Sequence, residues 1–432
     1  MRWFFYNILF TIAYLIMLPN LFIRMKRRGG YRANFQERFG KYSPDVEARL
    51  GEKKRIWIHA VSVGEANLAG NIISELRCHI KDVSFVISTT SSTGRAVCEK
   101  LAQKDDVVIY LPIDFPRNVK RALKKINFDT FILVESEFWP NLIRAMNSIG
   151  KKIFLVNGRV SDKTAPNYKR LKCFFRPIFE CFTLMLVQGE LDKERLIAAG
   201  APANKIKIMG SAKFDIKPIE EERIDQARAN CEQSGIMASD IVVLGGSTWP
   251  GEEISIAKAW KNIANPNVKL ILVPRHMERG DEVEQELASI GLKTIRRSRV
   301  KQGTETITPA EDVILMVDTT GELSALYGCS DIVIVGRSFD PNFGGQNMIE
   351  PAAMGKPVIV GPHTENFVPV MNCFKEQNAI IILDDVSKLE ETLRELIASA
   401  DKRMKFGLAG QKVVDSQRGS LSRSAIEILA NI

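Results

Sequence analysis

From residue 56 onward, short β-branched runs alternate with stretches whose apolar residues fall at helical spacing, and few folds tolerate that rhythm. Runs at 56–63, 85–89, 107–111, 131–134, 153–156 and 184–187 read as buried strands. A second series follows at 241–244, 270–273, 313–317, 332–335, 358–360 and 380–383. Between them, 68–76, 141–149 and 254–263 carry helical periodicity. Such alternation argues for right-handed βαβ units and parallel sheets. These strands are too many for one comfortable sheet. The stretch 220–233 is polar and strand-free, so the boundary is placed within 212–235. The predicted fold class is α/β: two doubly wound Rossmann-like domains, 29–211 and 236–432, facing across a cleft and joined by a linker at 212–235. A membrane anchor with a basic flank, 1–28, precedes them.

The anchor is read from residues 3–23, which are almost wholly apolar and just long enough to span a bilayer. Arg24, Lys26, Arg27 and Arg28 follow, then Arg32, Arg38 and Lys41, which by the positive-inside bias places the rest of the chain in the cytoplasm. A cleaved signal peptide is disfavoured because its small-residue cleavage motif is missing. An amphipathic helix lying on the membrane, or packed on the protein, stays open. Lys and Arg total 60 against 51 Asp and Glu, a net charge of +9 that suits an anionic leaflet next to such an anchor. Nucleic acid is not an expected partner, since no aromatic-basic RNA motif, zinc finger or helix-turn-helix signature appears. Seven scattered cysteines without C-x-x-C fit reduced thiols, and four dispersed histidines offer no zinc spacing. With no D-x-D either, no metal site is expected.

In open parallel sheets, ligands sit at the carboxyl ends of strands, so the loops there carry the candidate chemistry. His59-Ala60-Val61-Ser62-Val63-Gly64-Glu65 leaves a strand and enters a helix. Glu65 is therefore a candidate general base near a helix N-terminus, or simply a first-turn carboxylate stabilising its helix. The same stretch nearly matches a nucleophile elbow, a weak hydrolase signal. Glu135-Ser136-Glu137-Phe138-Trp139-Pro140 offers two carboxylates at a strand end, for sugar hydroxyls, a reacting group or helix capping. Phe343-Gly344-Gly345-Gln346-Asn347-Met348-Ile349-Glu350 pairs glycines with a helix entry, an arrangement suited to phosphate, with Glu350 placed for ribose hydroxyls. Pro274-Arg275 presents a guanidinium fork for phosphate, and Thr320-Gly321-Glu322 presents a hydroxyl, a glycine and a carboxylate. Lys213 is either a surface lysine or a cation for a departing phosphate.

Taken together these stretches resemble the 3-deoxy-D-manno-octulosonic acid (Kdo) transferases of lipopolysaccharide synthesis. The resemblance runs nearly end to end, through residues 59–65, 110–116, 135–143, 157–161, 210–215, 273–279, 321–323 and 361–367. It implies a GT-B glycosyltransferase, inverting and without a metal cofactor, that takes Kdo from CMP-Kdo to a lipid A precursor, lipid IVA, at the cytoplasmic face of the inner membrane. The acceptor domain is then N-terminal and the CMP-Kdo domain C-terminal. Carried over by motif, the general base falls on Glu65 and its supporting catalytic groups on Glu135 and Lys213. The CMP contacts fall on Pro274, Arg275, Thr320, Gly321, Glu322, Asn347, Met348, Ile349 and Glu350. The chain departs from the family pattern at Gly336-Arg337-Ser338, where a Gly-Gly-Ser triplet is usual. It departs again at Gln346–Glu350 and at Trp249 within 247–253. Another GT-B transferase or an epimerase is the alternative enzyme, and a silent membrane-bound nucleotide- or lipid-binding protein is the alternative of another class.

Overall fold

A computed structural model describes residues 2–28, 33–304 and 313–432, the side chains of 20–22 and 24–28 excepted. It divides into two compact units: 1–212 with 419–432, and 213–418.

The first unit is built on a parallel sheet of β1 (Arg55–His59), β2 (Phe85–Thr89), β3 (Val107–Tyr110), β4 (Phe128–Val134), β5 (Lys152–Gly158), β6 (Leu184–Val187) and β7 (Ile206–Ile208), in the order β3-β2-β1-β4-β5-β6-β7. The β-branched runs are covered on both faces by helices, as parallel sheets require. On one face Trp57 meets Phe128 and Phe131 edge-on at 5.1 and 5.4 Å, and its indole N–H donates to Ser88 Oγ. The direction of winding reverses between β1 and β4, so the loops leaving those two strands flank the switch point.

The second unit repeats the plan with β8 (Ile241–Thr248), β9 (Val268–Pro274), β10 (Lys293–Arg296), β11 (Val313–Met316), β12 (Ile332–Val335), β13 (Val358–Val360) and β14 (Ile381–Ile382), ordered β10-β11-β9-β8-β12-β13-β14. Its switch point lies between β8 and β12.

Two boundaries differ from the sequence reading. Residues 221–233, assigned to a linker, form the helix Glu221–Gln233, whose Ala227 and Cys231 are buried in the core of the second unit. The last helix, Ser420–Leu429, was assigned to the C-terminal domain but packs on the first unit. Its Leu421, Ala425 and Ile428 join Ile72, Ile73 and Leu76 in one core, and Arg423 donates to the Met209 carbonyl at 2.6 Å. Its apolar stripe is complementary to the face left open beside the helix Val63–His79.

The N-terminal helix Arg2–Arg28 lies against the first unit along one side. Trp3 meets Phe174, Phe10 and Tyr14 meet Phe115, Tyr6 donates to Asp114 at 2.8 Å, and Asn141 donates to Asn7 at 2.7 Å. The opposite side exposes Phe4, Phe5, Ile8, Leu9, Ile12, Leu15, Ile16 and Met17. Of the basic flank, the Arg24–Arg28 side chains and Arg32 lie outside the described residues. Arg38 is not a surface charge: it is buried over the Tyr110 ring and donates to the Thr90 carbonyl. Lys41 is exposed.

Candidate functional site

Among the described residues, four other than glycine take left-handed backbone at the carboxyl ends of strands: Glu135 (φ 63°), Asn157 (φ 55°), Ser247 (φ 55°) and Arg337 (φ 61°). This conformation costs about 1 kcal/mol or more per side chain, and such strain collects where a site needs a particular geometry. Glu135 and Arg337 stand at the switch points of the two sheets.

On the first unit, β1 pairs with β4 in a register that puts His59 beside Leu133, so the loops carrying Glu65 and Glu135 leave the sheet side by side. Ser62 caps the helix Val63–His79 by accepting from the Glu65 N–H at 3.2 Å. One carboxylate oxygen of Glu65 accepts from the Val61 N–H at 2.9 Å. This is a capping box in which the acid reaches back one residue further than usual. It fixes the Glu65 side chain and leaves Oε1 without a hydrogen bond among the described residues. Ser62, the serine of the nucleophile-elbow match, is a helix cap. His59 is wholly buried and neutral: burial drives its pKa down to about 4, and its Nδ1 lies 3.0 Å from the Ser88 carbonyl. The Glu135 N–H donates to the Val156 carbonyl, which holds the turn in which Ser136 Oγ bonds the Arg159 carbonyl.

Glu137 is the residue this rim adds to the predicted set. Burial, and then the charge of Glu65, push its carboxyl up to about 7. Burial, and then the charge of Glu137, raise Tyr168 in turn. The sequence displays Glu137 in the motif, but only the adjacency of β1 and β4 reveals that it faces a second carboxylate.

On the second unit, Arg275 follows β9 with its side chain exposed and without an ion pair among the described residues, while Pro274 is buried. Thr320 and Gly321 are exposed in the loop after β11. Glu322 accepts from Thr319 at 2.5 Å and from Arg297 at 3.2 Å. Glu350 is held by Ser324 at 2.7 Å and by Asn347 at 2.9 Å, and Asn347 also caps the Ile349 N–H. Met348 and Ile349 turn their side chains into the core, so only their backbone is available to a ligand. Lys213 belongs to this unit, donates to the Asn366 carbonyl at 2.9 Å and lies over the Phe367 ring. Asn366 in turn clamps the glycine pair: its side chain donates to the Phe343 carbonyl, and a Cβ at Gly344 would stand 2.9 Å from it. Lys213 is thereby tied to the loop that leads to Asn347. Of the three predicted catalytic residues, Glu65 and Glu135 thus share the first rim and Lys213 is carried by the second unit.

The loops after β8 and β12 are joined by one buried carboxylate. Glu252 accepts from the N–H groups of Trp249 (2.9 Å), Arg337 (2.7 Å), Ser338 (3.1 Å) and Phe339 (3.3 Å). Burial pushes its carboxyl up, and those four donors pull against the shift. Gly336 is required there, because a Cβ would meet Ser247 O at 2.6 Å and Glu252 at 2.7 Å.

Two parallel, doubly wound sheets with strand-end rims define the GT-B class of glycosyltransferases. A glycosyltransferase from Rickettsia africae has this fold, superposing over 88% of this chain and 100% of its own with a TM-score of 0.58 at 15% identity. The family described as 3-deoxy-D-manno-octulosonic-acid transferase (kdotransferase) matches residues 33–216. A 3-deoxy-D-manno-octulosonic acid transferase of Bordetella pertussis is 31% identical over 96% of this chain and 97% of its own length. A bifunctional glycosyltransferase/methyltransferase of Fusobacterium nucleatum is 32% identical over 84% of this chain, which spans only 54% of that larger protein. The chain belongs to the 3-deoxy-D-manno-octulosonic acid transferase family and is a glycosyltransferase.

Proposed function

We propose that this enzyme transfers Kdo from CMP-Kdo to a sugar hydroxyl of a lipid A precursor, lipid IVA, with inversion at the anomeric carbon. The observation that carries the reading is the placement of Glu65 and Glu135 on the loops that leave two adjacent strands in a member of the Kdo transferase family. A sugar hydroxyl is too weak an acid to ionise at neutral pH, so Glu65 accepts its proton as the oxygen attacks the anomeric carbon. The bond from that carbon to the CMP phosphate breaks, and the electron pair leaves with CMP. Arg275 and Lys213 meet the charge that builds on the phosphate, so cations of the chain supply the electrostatic stabilisation without a metal cofactor. Thr320, Gly321, Glu322, Asn347, Glu350 and the backbone of Met348 and Ile349 hold the nucleotide, with Pro274 shaping the loop beneath Arg275.

The N-terminal helix supports placement at the cytoplasmic face of the inner membrane. Its Trp3, Tyr6, Asn7, Phe10 and Tyr14 side is seated on the first unit and its opposite apolar side, Phe4 and Phe5 included, is exposed, the disposition of a helix lying in the interface rather than crossing it. This keeps the Glu65 rim near an amphiphilic acceptor.

The test is Glu65→Gln. Loss of a general base lowers turnover by about 10²–10⁴-fold, with CMP binding by the second unit unchanged. Turnover within about threefold of wild type would remove Glu65 from the proposed role.

A further inference from the structure

The loops at the switch point of the second sheet carry a cluster that the family resemblance does not account for. The Trp249 ring lies 4.4 Å from Phe343 and 5.3 Å from His276, and the Arg337 guanidinium sits 4.8 Å from the centre of Trp249 and 5.7 Å from that of Phe343. Arg337 is fixed from beneath: its N–H donates to Glu252, its carbonyl accepts from the Gly345 N–H at 2.7 Å, and its backbone is left-handed. The side chain of Arg337 makes no ion pair or hydrogen bond among the described residues. Its Nε–H and the Trp249 indole N–H are both shut from solvent without an acceptor, while the terminal nitrogens of Arg337 stay open. Buried donors are paired almost everywhere in folded proteins, so two orphans in one cluster ask for a ligand. A guanidinium laid on aromatic rings keeps its planar fork oriented and suits a carboxylate or phosphate.

We infer that Arg337, seated on the Trp249 and Phe343 rings, is a donor-specificity residue that grips an oxyanion of the nucleotide-activated sugar. The inference rests on the CMP-Kdo reading above. That donor offers two such groups, the phosphate and the sugar carboxylate, and both fit the same fork. The position explains why an arginine is tolerated where glycine is the conformationally easy choice: its charge is used.

The experiment titrates the full-length protein and its Arg337→Gly variant with cytidine, CMP and CMP-Kdo by calorimetry. Glycine fits the left-handed backbone, so the variant folds with a Tm no lower than wild type. If Arg337 holds the phosphate, CMP binds the variant about tenfold or more weakly and cytidine binds it equally well. If it holds the carboxylate, CMP is unchanged and CMP-Kdo loses about tenfold or more. Either result supports the assignment. Equal affinities of wild type and variant for all three ligands overturn the role of Arg337 alone. A wild-type protein that binds neither CMP nor CMP-Kdo overturns the donor reading and this inference with it.

Discussion

Glu252→Gln tests whether a single carboxylate holds the donor-side loops together. Oε2 takes the N–H groups of Trp249 and Arg337, and Oε1 takes those of Ser338 and Phe339. Glutamine keeps one acceptor oxygen and turns an NH₂ toward the other two donors. Two hydrogen bonds to a charged acceptor are lost, at ~1.5–3 kcal/mol each, and two buried N–H groups are orphaned. Relief from burying a charge returns part of this, leaving a net loss of ~3 kcal/mol. With a urea slope of about 2 kcal/mol/M, the unfolding midpoint of the second unit falls by about 1.5 M. Urea-dependent hydrogen exchange of peptides spanning 241–263 reads that unit separately from the first. A midpoint within about 0.3 M of wild type would show that those N–H groups find other acceptors and that Glu252 does not organise the rim.

Other consequences follow from the same geometry. Folding raises the Glu137 carboxyl from its ordinary 4.5 to about 7, so its contribution to stability is complete below about pH 4.5 and is lost as pH rises through about 7. The Tm of the first unit therefore falls across that window in wild type and stays flatter in Glu137→Gln; matching profiles would contradict it. At Glu135, glycine suits φ 63° and alanine does not, so Glu135→Gly is more stable than Glu135→Ala by about 1 kcal/mol in chemical denaturation, with turnover lost in both. Equal stability of the two variants would show that the turn relaxes. Tyr6→Phe removes the bond to buried Asp114, costs the first unit ~1.5 kcal/mol and speeds amide exchange in the first half of the helix Arg2–Arg28. Unchanged exchange would mean that the aromatic contacts alone seat the helix.

Most strands that sequence displays are buried on both faces, where nothing but apolar residues fits, and the partly exposed edge strand Ile381–Ile382 is displayed by its two isoleucines. The two it hides, Ile206–Ile208 and Lys293–Arg296, are edge strands. Their Lys207 and Lys293 face solvent, as edges that avoid pairing with other chains usually do, and their runs are too short and polar to stand out. The helix Ser420–Leu429 shows an amphipathic stripe but no sign of which sheet it serves, because that depends on a face left open some 350 positions earlier in the chain, beside the helix Val63–His79. At the candidate site, Glu65, Glu135, Lys213, Arg275 and Glu350 were legible because strand-end loops are where such folds put chemistry. The coupling of Glu137 to Glu65, and the stacking of Arg337 on Trp249, were not. Each joins residues far apart in sequence through the pairing of strands that are neighbours only in the sheet. Trp249 and Arg337 stood out only as departures from a pattern, and the folded arrangement turns two separate oddities into one cluster.

The proposed reaction is acceptor-dependent Kdo transfer supported by the chain's own cations. The measurement that tests it most directly is CMP release from CMP-Kdo by the purified protein in EDTA, with and without lipid IVA, followed by mass analysis of the lipid. The expected results are release only when the lipid is present, activity that survives the chelator, a lipid heavier by whole Kdo units, and product formed about 10²–10⁴-fold more slowly by Glu65→Gln. Release without acceptor, an unmodified lipid, or activity abolished by EDTA and restored by a divalent metal would contradict it.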